Sequence, residues 1–468
     1  MVRAQLPLLT LLVLLFSVFV TASSKKISFP GGGPKPGDFG YPPEGYEDEK
    51  PGTVLRSREI EPAHFGIFKI QATGYQLLYR TSGMNSSDPA VAITTVIIPQ
   101  THDSDRLVVS ATPEDAASYG CRPSALLQSQ FLPQFQSIIS RIEMILNNIY
   151  LQKGYVVTIP DYEGPRSAFG VGQIAGHAML DAARATLNWK KSELNDNAKI
   201  VGVGYSGGAI AAGWAAQLHP SYASELNAVG FSFGGTPTNL TTLINRVDGG
   251  ALAGLVALGA AGVINGFPEL EPVADKYLTK DGKNAIKYVR SQCAVTGAVP
   301  FAFQTIQGPK YVKGGLKLHD VPGLGEVMDN LTLADDKSLT PTAPVFMFHA
   351  TTDEFVPYGA AKTAAKNWCN RGANVEFLTE TFTSEHIVAY IGTLTKMIDF
   401  VADRFNGKSF HGGKCTFPSI SSPLFDLEDN AALVKNLVAA IKTLFGEATD
   451  MSLSDLMSTD MKSTSLDM

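Results

Sequence analysis

The residues best suited to do chemistry are a serine set among glycines, Gly204-Tyr205-Ser206-Gly207-Gly208. A serine hydroxyl attacks a carbonyl carbon only if a base takes its proton and the oxygen stands clear of its own backbone. The flanking residues bear on the second requirement. Ile200 to Val203 is an apolar run that reads as a strand, and the alanine-rich run after Gly207 reads as a helix. A turn that sharp leaves no room for side chains at Gly204 and Gly208, and it holds the hydroxyl of Ser206 exposed. The start of the helix aims the N–H of Gly207 at the place where negative charge develops during attack. A purely structural turn can carry the same five residues, so the reading depends on whether partners exist.

The required partners are a histidine to take the proton and a carboxylate to fix its tautomer and stabilise its cation. On sheets with this elbow they follow in the order serine, acid, histidine. Asp353 follows the apolar run Phe346-Met347-Phe348-His349-Ala350, and His386 follows the next strand-like run. Glu354 competes as the acid; the shorter stem of Asp353 better suits a fixed reach to an imidazole. Of eight histidines, His64, His102, His177 and His219 lie before or just after the elbow, and His319 and His349 precede the acid. His411 sits in a glycine-rich loop with no strand before it, which leaves His386. A second oxyanion donor is expected from the loop Thr112-Pro113-Glu114-Asp115-Ala116, although these residues alone do not say which one.

The elements that must position these groups alternate. Strands are predicted at Gly74 to Thr81, Ala90 to Pro99, Leu107 to Ala111, Tyr155 to Pro160, Ala228 to Phe233, Pro344 to His349 and Val375 to Thr379, with helices at Phe135 to Lys153 and Ile174 to Lys190. The fold class is therefore α/β, a mostly parallel sheet with helices on both faces. Reactive groups in such sheets gather at the carboxyl ends of the strands. The rhythm breaks after Pro237. Gly249 to Ile264 is apolar with many small residues, either a closely packed buried helix or a lipid-facing element, and Leu270 to Arg290 reads as one charged helix. These belong to an inserted cap at 237–330, between core segments at 56–236 and 331–415.

The ends and the composition set further bounds. Met1 to Ala22 reads as a secretory signal, with Arg3, an apolar run from Leu6 to Val20, and small residues before the cleavage point. Residues 23–55 form a Pro/Gly-rich arm, 416–447 an amphipathic segment and 448–468 a disordered tail. A net charge of −6 offers no basic patch for nucleic acid and no polybasic membrane anchor, so small molecules or lipid surfaces are the expected partners. In an exported chain Cys121, Cys293, Cys369 and Cys415 form two disulfides, with three pairings open and no metal-ligand spacing. Asn85, Asn239 and Asn330 head glycosylation sequons. The acyl-transfer chemistry needs no cofactor.

The elbow, Asp353-Glu354-Phe355-Val356-Pro357-Tyr358, Glu385-His386, Cys369-Asn370-Arg371-Gly372-Ala373-Asn374 and Ser232-Phe233-Gly234-Gly235-Thr236-Pro237 together resemble the fungal secretory lipase family over about Thr53 to Cys415. The resemblance implies an α/β-hydrolase core with a large, largely helical cap or lid, and hydrolysis of triacylglycerols and other carboxylic esters at a lipid–water interface. It marks Ser206 as nucleophile, Asp353 as acid and His386 as base, points to Asp115 and Gly207 as the oxyanion pair, and suggests the pairings Cys121–Cys293 and Cys369–Cys415. Two other readings are an esterase or acyltransferase for short or aromatic acyl groups, and a non-catalytic binding protein on the same fold.

Overall fold

The computed structural model describes residues 33–64, 68–69, 72–128, 138–381 and 385–421. The signal segment, the start of the arm, the first residues of the helix expected from Phe135, most of the amphipathic segment and the whole tail lie outside them.

Ten strands form one sheet: β1 Val54–Ile60, β2 Ala72–Ser82, β3 Pro89–Pro99, β4 Arg106–Ala111, β5 Val156–Pro160, β6 Lys199–Tyr205, β7 Ala228–Gly234, β8 Val345–Ala350, β9 Val375–Glu380 and β10 Ser419–Ile420. Their spatial order is β1-β2-β3-β5-β4-β6-β7-β8-β9-β10. The first three are an antiparallel meander that meets β5 antiparallel; from β5 onward every neighbour is parallel.

The helices of seven or more residues are α1 Ile138–Gln152, α2 Gly172–Asn188, α3 Gly207–Tyr222, α4 Leu240–Val247, α5 Gly254–Gly266, α6 Glu271–Tyr277, α7 Lys280–Val289, α8 Leu324–Asn330, α9 Tyr358–Asn370 and α10 His386–Phe405. The parallel strands bury both faces, and their side chains alternate between two cores. Leu107, Val109, Val345 and Met347 pack with α2, α3 and α9, including Trp214 and Trp368. Val108, Val157, Phe346 and Phe348 pack on the other side with α1 and α10. Period-two apolar runs with no polar face are what a parallel sheet covered by helices requires. The described part of the N-terminal arm lies over the meander, where Phe39 and Tyr46 cover Leu78, Val91 and Ile93.

Between β7 and β8 a helical layer has its own apolar centre. Leu240 and Ile244 of α4, Val256, Leu258 and Ala261 of α5, and Ile286 and Val289 of α7 join Phe169 and Val171 from the core loops. The small-residue run is therefore a packed helix, and its composition has a reason. A Cβ at Gly254 would lie 2.3 Å from backbone of Ala298, and one at Gly262 would lie 2.3 Å from the Phe169 carbonyl. Only glycine permits those approaches. The single charged helix expected over Leu270 to Arg290 is instead two. Leu278 leaves the helix to bridge Val312, and the Thr279 hydroxyl accepts the Gly282 N–H to cap α7. An N-cap threonine inside a polar run was the available sign of that break.

Candidate active site

Strand β6 ends at Tyr205, and Ser206 is the pivot into α3 with φ 52° and ψ −120°, a conformation few non-glycine residues adopt. The strain, on the order of 1–3 kcal/mol, is held by the surrounding backbone. A Cβ at Gly204 would meet the Gly208 carbonyl at 2.3 Å, and a Cβ at Gly208 would meet the Ala111 carbonyl at 1.9 Å. Those contacts press strand, turn and helix together and leave the Ser206 hydroxyl facing the carboxyl edge of the sheet.

At that edge the loops after β8 and β9 bring Asp353 and His386 to the serine. His386 Nε2 lies 2.9 Å from Ser206 Oγ, and Nδ1 lies 2.7 Å from Asp353 Oδ2. The carboxylate fixes the proton on Nδ1, which leaves Nε2 with a lone pair toward the hydroxyl. Asp353 is itself locked, since its Oδ1 accepts the backbone N–H groups of Phe355 at 2.9 Å and Val356 at 2.7 Å. Burial pushes the Asp353 carboxyl up, but His386 beside it and the hydrogen bond from His349 hold it well below the usual carboxylate range. For His386, burial lowers the pKa, and the charge and hydrogen bond of Asp353, with Glu354 and Asp115 behind them, raise it above 6.5 on balance.

The Asp115 loop follows β4 and closes the site from the other side. Asp115 has φ 49°, and a Cβ added at Gly207 would lie 1.7 Å from its Oδ1, so the loop and the start of α3 are in direct apposition. Burial pushes the Asp115 carboxyl up to about 6, with His386 pulling in the opposite direction. The two residues named as an oxyanion pair thus stand side by side next to Ser206.

Several functional groups escaped the sequence reading. His349, the last residue but one of β8, sets its Nε2 3.2 Å from Asp353 Oδ2 and 3.1 Å from the Val356 carbonyl. Both neighbours are acceptors, so Nε2 carries the proton and donates. Chain order removed His349 as a base and left this role invisible. Glu354, the rejected acid, accepts the His386 N–H at 2.8 Å and so caps α10. Tyr205 donates to the His386 carbonyl at 2.5 Å and stacks on Tyr390 at 4.0 Å between ring centroids. The adjacency of Asp and Glu in one loop, and of Tyr to the serine, were the only signs.

The remaining candidates lie outside this network. Cys121 is bonded to Cys293 and Cys369 to Cys415. Asn85 and Asn330 are exposed. The Asn239 amide caps α4, its oxygen accepting the Thr242 N–H and its nitrogen donating to Thr332, so a glycan on that nitrogen would compete with the bond to Thr332. Of the other histidines, His177 meets the Gly83 carbonyl, His219 the Leu226 carbonyl, His319 Asp329 and His411 Glu376. No described helix is long and apolar enough to cross a membrane.

A helix-covered parallel sheet with a strained serine after its central strand, and an acid and a histidine on later loops, defines an α/β-hydrolase. Candida antarctica lipase A has the same fold, with a TM-score of 0.75 and 28% identity over 86% of this chain and 93% of that one. Its closed state matches with a TM-score of 0.72 and 30% identity over 81% and 88%. The rice cell wall degrading esterase LipA from Xanthomonas oryzae shares the fold at 17% identity and a TM-score of 0.57. Among sequence relatives, secreted triacylglycerol lipase LIP2 of Malassezia furfur is 41% identical over 84% of each chain. Secreted triacylglycerol lipase LIP7 of Malassezia globosa is 38% identical over 87% of this chain and 88% of its own. The secretory lipase family model matches residues 129–413, and the chain belongs to that family.

Proposed function

We propose that this protein is a secreted lipase that cleaves the carboxylic ester bonds of triacylglycerols and related lipids through an acyl-enzyme on Ser206. The observation that carries the reading is the position of His386, 2.9 Å from Ser206 Oγ and 2.7 Å from Asp353 Oδ2. In the first step His386 Nε2 takes the hydroxyl proton as Oγ attacks the ester carbonyl. The oxyanion accepts hydrogen bonds from the backbone N–H groups of Gly207 and Asp115, and the tetrahedral intermediate collapses as His386 returns its proton to the leaving alcohol. Water enters, His386 takes a proton from it as its oxygen attacks the acyl carbon, and the second tetrahedral intermediate collapses with cleavage of the bond to Ser206 Oγ, which takes the proton back from His386 as the fatty acid leaves. Asp353 stays ionised throughout and stabilises the imidazolium.

The helical layer over residues 237–330 serves as the lid, and its substrate is met at a lipid–water interface. The names of the relatives and the two disulfides support export.

The test is reaction of the purified protein with a fluorophosphonate, alongside hydrolysis of a triolein emulsion. Labelling mapped to Ser206, with activity lower by about 10³-fold or more in Ser206→Ala, is the expected result. Undiminished turnover in that variant would remove the serine from the reaction.

A further inference from the structure

The outer part of the helical layer carries charge of the opposite sign to the rest of the chain. Between Glu271 and Lys317 there are eight Lys or Arg and three Asp or Glu, a net +5, against −6 for the whole chain. The remaining residues therefore hold −11. Two of the eight cations are paired, Lys283 with Asp275 and Arg290 with Glu271. Lys276, Lys280, Lys287, Lys310, Lys313 and Lys317 are exposed, and none of them has an ion pair among the described residues. Lys310 and Lys313 bond only to neutral oxygens, those of the Gln304 amide and the Lys276 carbonyl.

These lysines lie on one connected surface. The Lys313 contact to Lys276, the bridge from Leu278 to Val312 and the bond from the Thr279 N–H to the Tyr311 carbonyl join α6 and α7 to the 310–317 loop. The same surface shows large apolar side chains to water. Of the six described large hydrophobic residues that are exposed, four fall here: Tyr288, Val299, Phe303 and Leu316. Phe303 is the extreme case, 71% exposed, with φ 61° and its N–H bonded to the Gly250 carbonyl. Lys310 reaches Gln304 beside it. A backbone held in the left-handed region to present an aromatic ring to solvent gains nothing from burial within this chain.

Exposed aromatic and aliphatic groups interleaved with unpaired lysines match a surface that is both apolar and anionic. We propose that this face, centred on Phe303 and Lys310, docks on a lipid surface carrying ionised fatty-acid carboxylates. The proposal rests on the lipase reading above. Fatty acid is the product of that reaction, so each turnover makes the surface more negative and recruits more enzyme. A neutral oil surface offers the lysines no counter-charge, and the acidic remainder of the molecule is repelled from the charged one, which fixes the orientation.

The experiment uses the full chain with Ser206→Ala, so that binding is read without turnover, on triolein droplets with and without about 10 mol% oleate at about pH 8. Oleate should raise partitioning about 100-fold at low salt and far less in ~0.5 M NaCl. Lys310→Gln with Lys313→Gln and Lys317→Gln should remove most of that gain, about fivefold per lysine, and Phe303→Ser should weaken binding to both surfaces about tenfold. Equal partitioning with and without oleate would overturn the proposal, as would a triple variant that still responds fully. Binding to phosphatidylglycerol vesicles but not to oleate-doped droplets would overturn it too. The lysine and Phe303 variants, with Ser206 restored, should hydrolyse p-nitrophenyl butyrate in solution at the parent rate. If the parent itself fails there and resists fluorophosphonate, the lipase reading has failed, separately from the docking surface.

Discussion

At the scale of single residues, the site is a chain of groups each held by the next: Ser206, His386, Asp353 and then His349. His349 packs edge-on to Tyr358 and bonds the Val356 carbonyl and Asp353; it acts on the reacting groups through Asp353, so it is a positioning residue. Its bond draws electron density from the carboxylate that stabilises the His386 cation. Removing that donor leaves Asp353 a stronger partner for imidazolium. In His349→Leu, which fills much of the same space without a donor, the acid limb of the kcat/KM profile should therefore move to higher pH by less than about one unit, with kcat down about tenfold from looser positioning. The limb itself falls as pH drops through the His386 pKa, which lies above 6.5, because only the neutral imidazole takes a proton. A pH profile that does not move, with kcat reduced, would mean that His349 only packs. Chain order and strand boundaries made the serine, acid and histidine legible, since each must follow a strand. His349 was not legible because its bond depends on how the 351–356 loop folds back, and no local pattern encodes that.

At the scale of elements, the strands stood out because β-branched and aromatic runs buried on both faces leave little ambiguity. The helical layer was harder. Its helices are short, one apolar and one polar run each fit more than one arrangement, and tertiary contacts decided both. The glycines separate these cases experimentally. Gly208→Ala places a Cβ 1.9 Å from the Ala111 carbonyl and should cost about 3 kcal/mol or more, seen as loss of soluble protein or of melting temperature. Gly259 of α5 has nothing within 4 Å of such a Cβ, and Gly259→Ala should instead stabilise by about 0.5–1 kcal/mol. Equal effects of the two changes would contradict the close approach at the elbow.

At the scale of the whole molecule, buried acids set a pH dependence. Burial pushes Glu143 of α1 up to about 8 from 4.5, against the hydrogen bond it accepts from Tyr390 at 3.1 Å. Burial also raises Glu114, in the Asp115 loop, and Glu163 well above their ordinary value. A carboxyl whose pKa is raised on folding contributes fully below its ordinary value, and the contribution is lost as pH rises through the folded one. Stability should thus decline between about pH 5 and pH 8. Glu143→Gln, which keeps an acceptor for Tyr390, should flatten the upper part of that decline by on the order of 2–4 kcal/mol in denaturant titrations. An unchanged slope would show that Glu143 is ionised in the folded protein.

The bond between Cys121 and Cys293 joins points 172 residues apart, one just beyond the Asp115 loop and the other at the head of a short helix in the overlying layer. The layer is already tied to the core by its own chain at both ends, after β7 and before β8, and this bond adds a third covalent tie. In the lid role proposed above, the margin nearest Cys121 is the one this tie holds to the core, and reducing that single bond would free it without touching Ser206, His386 or Asp353.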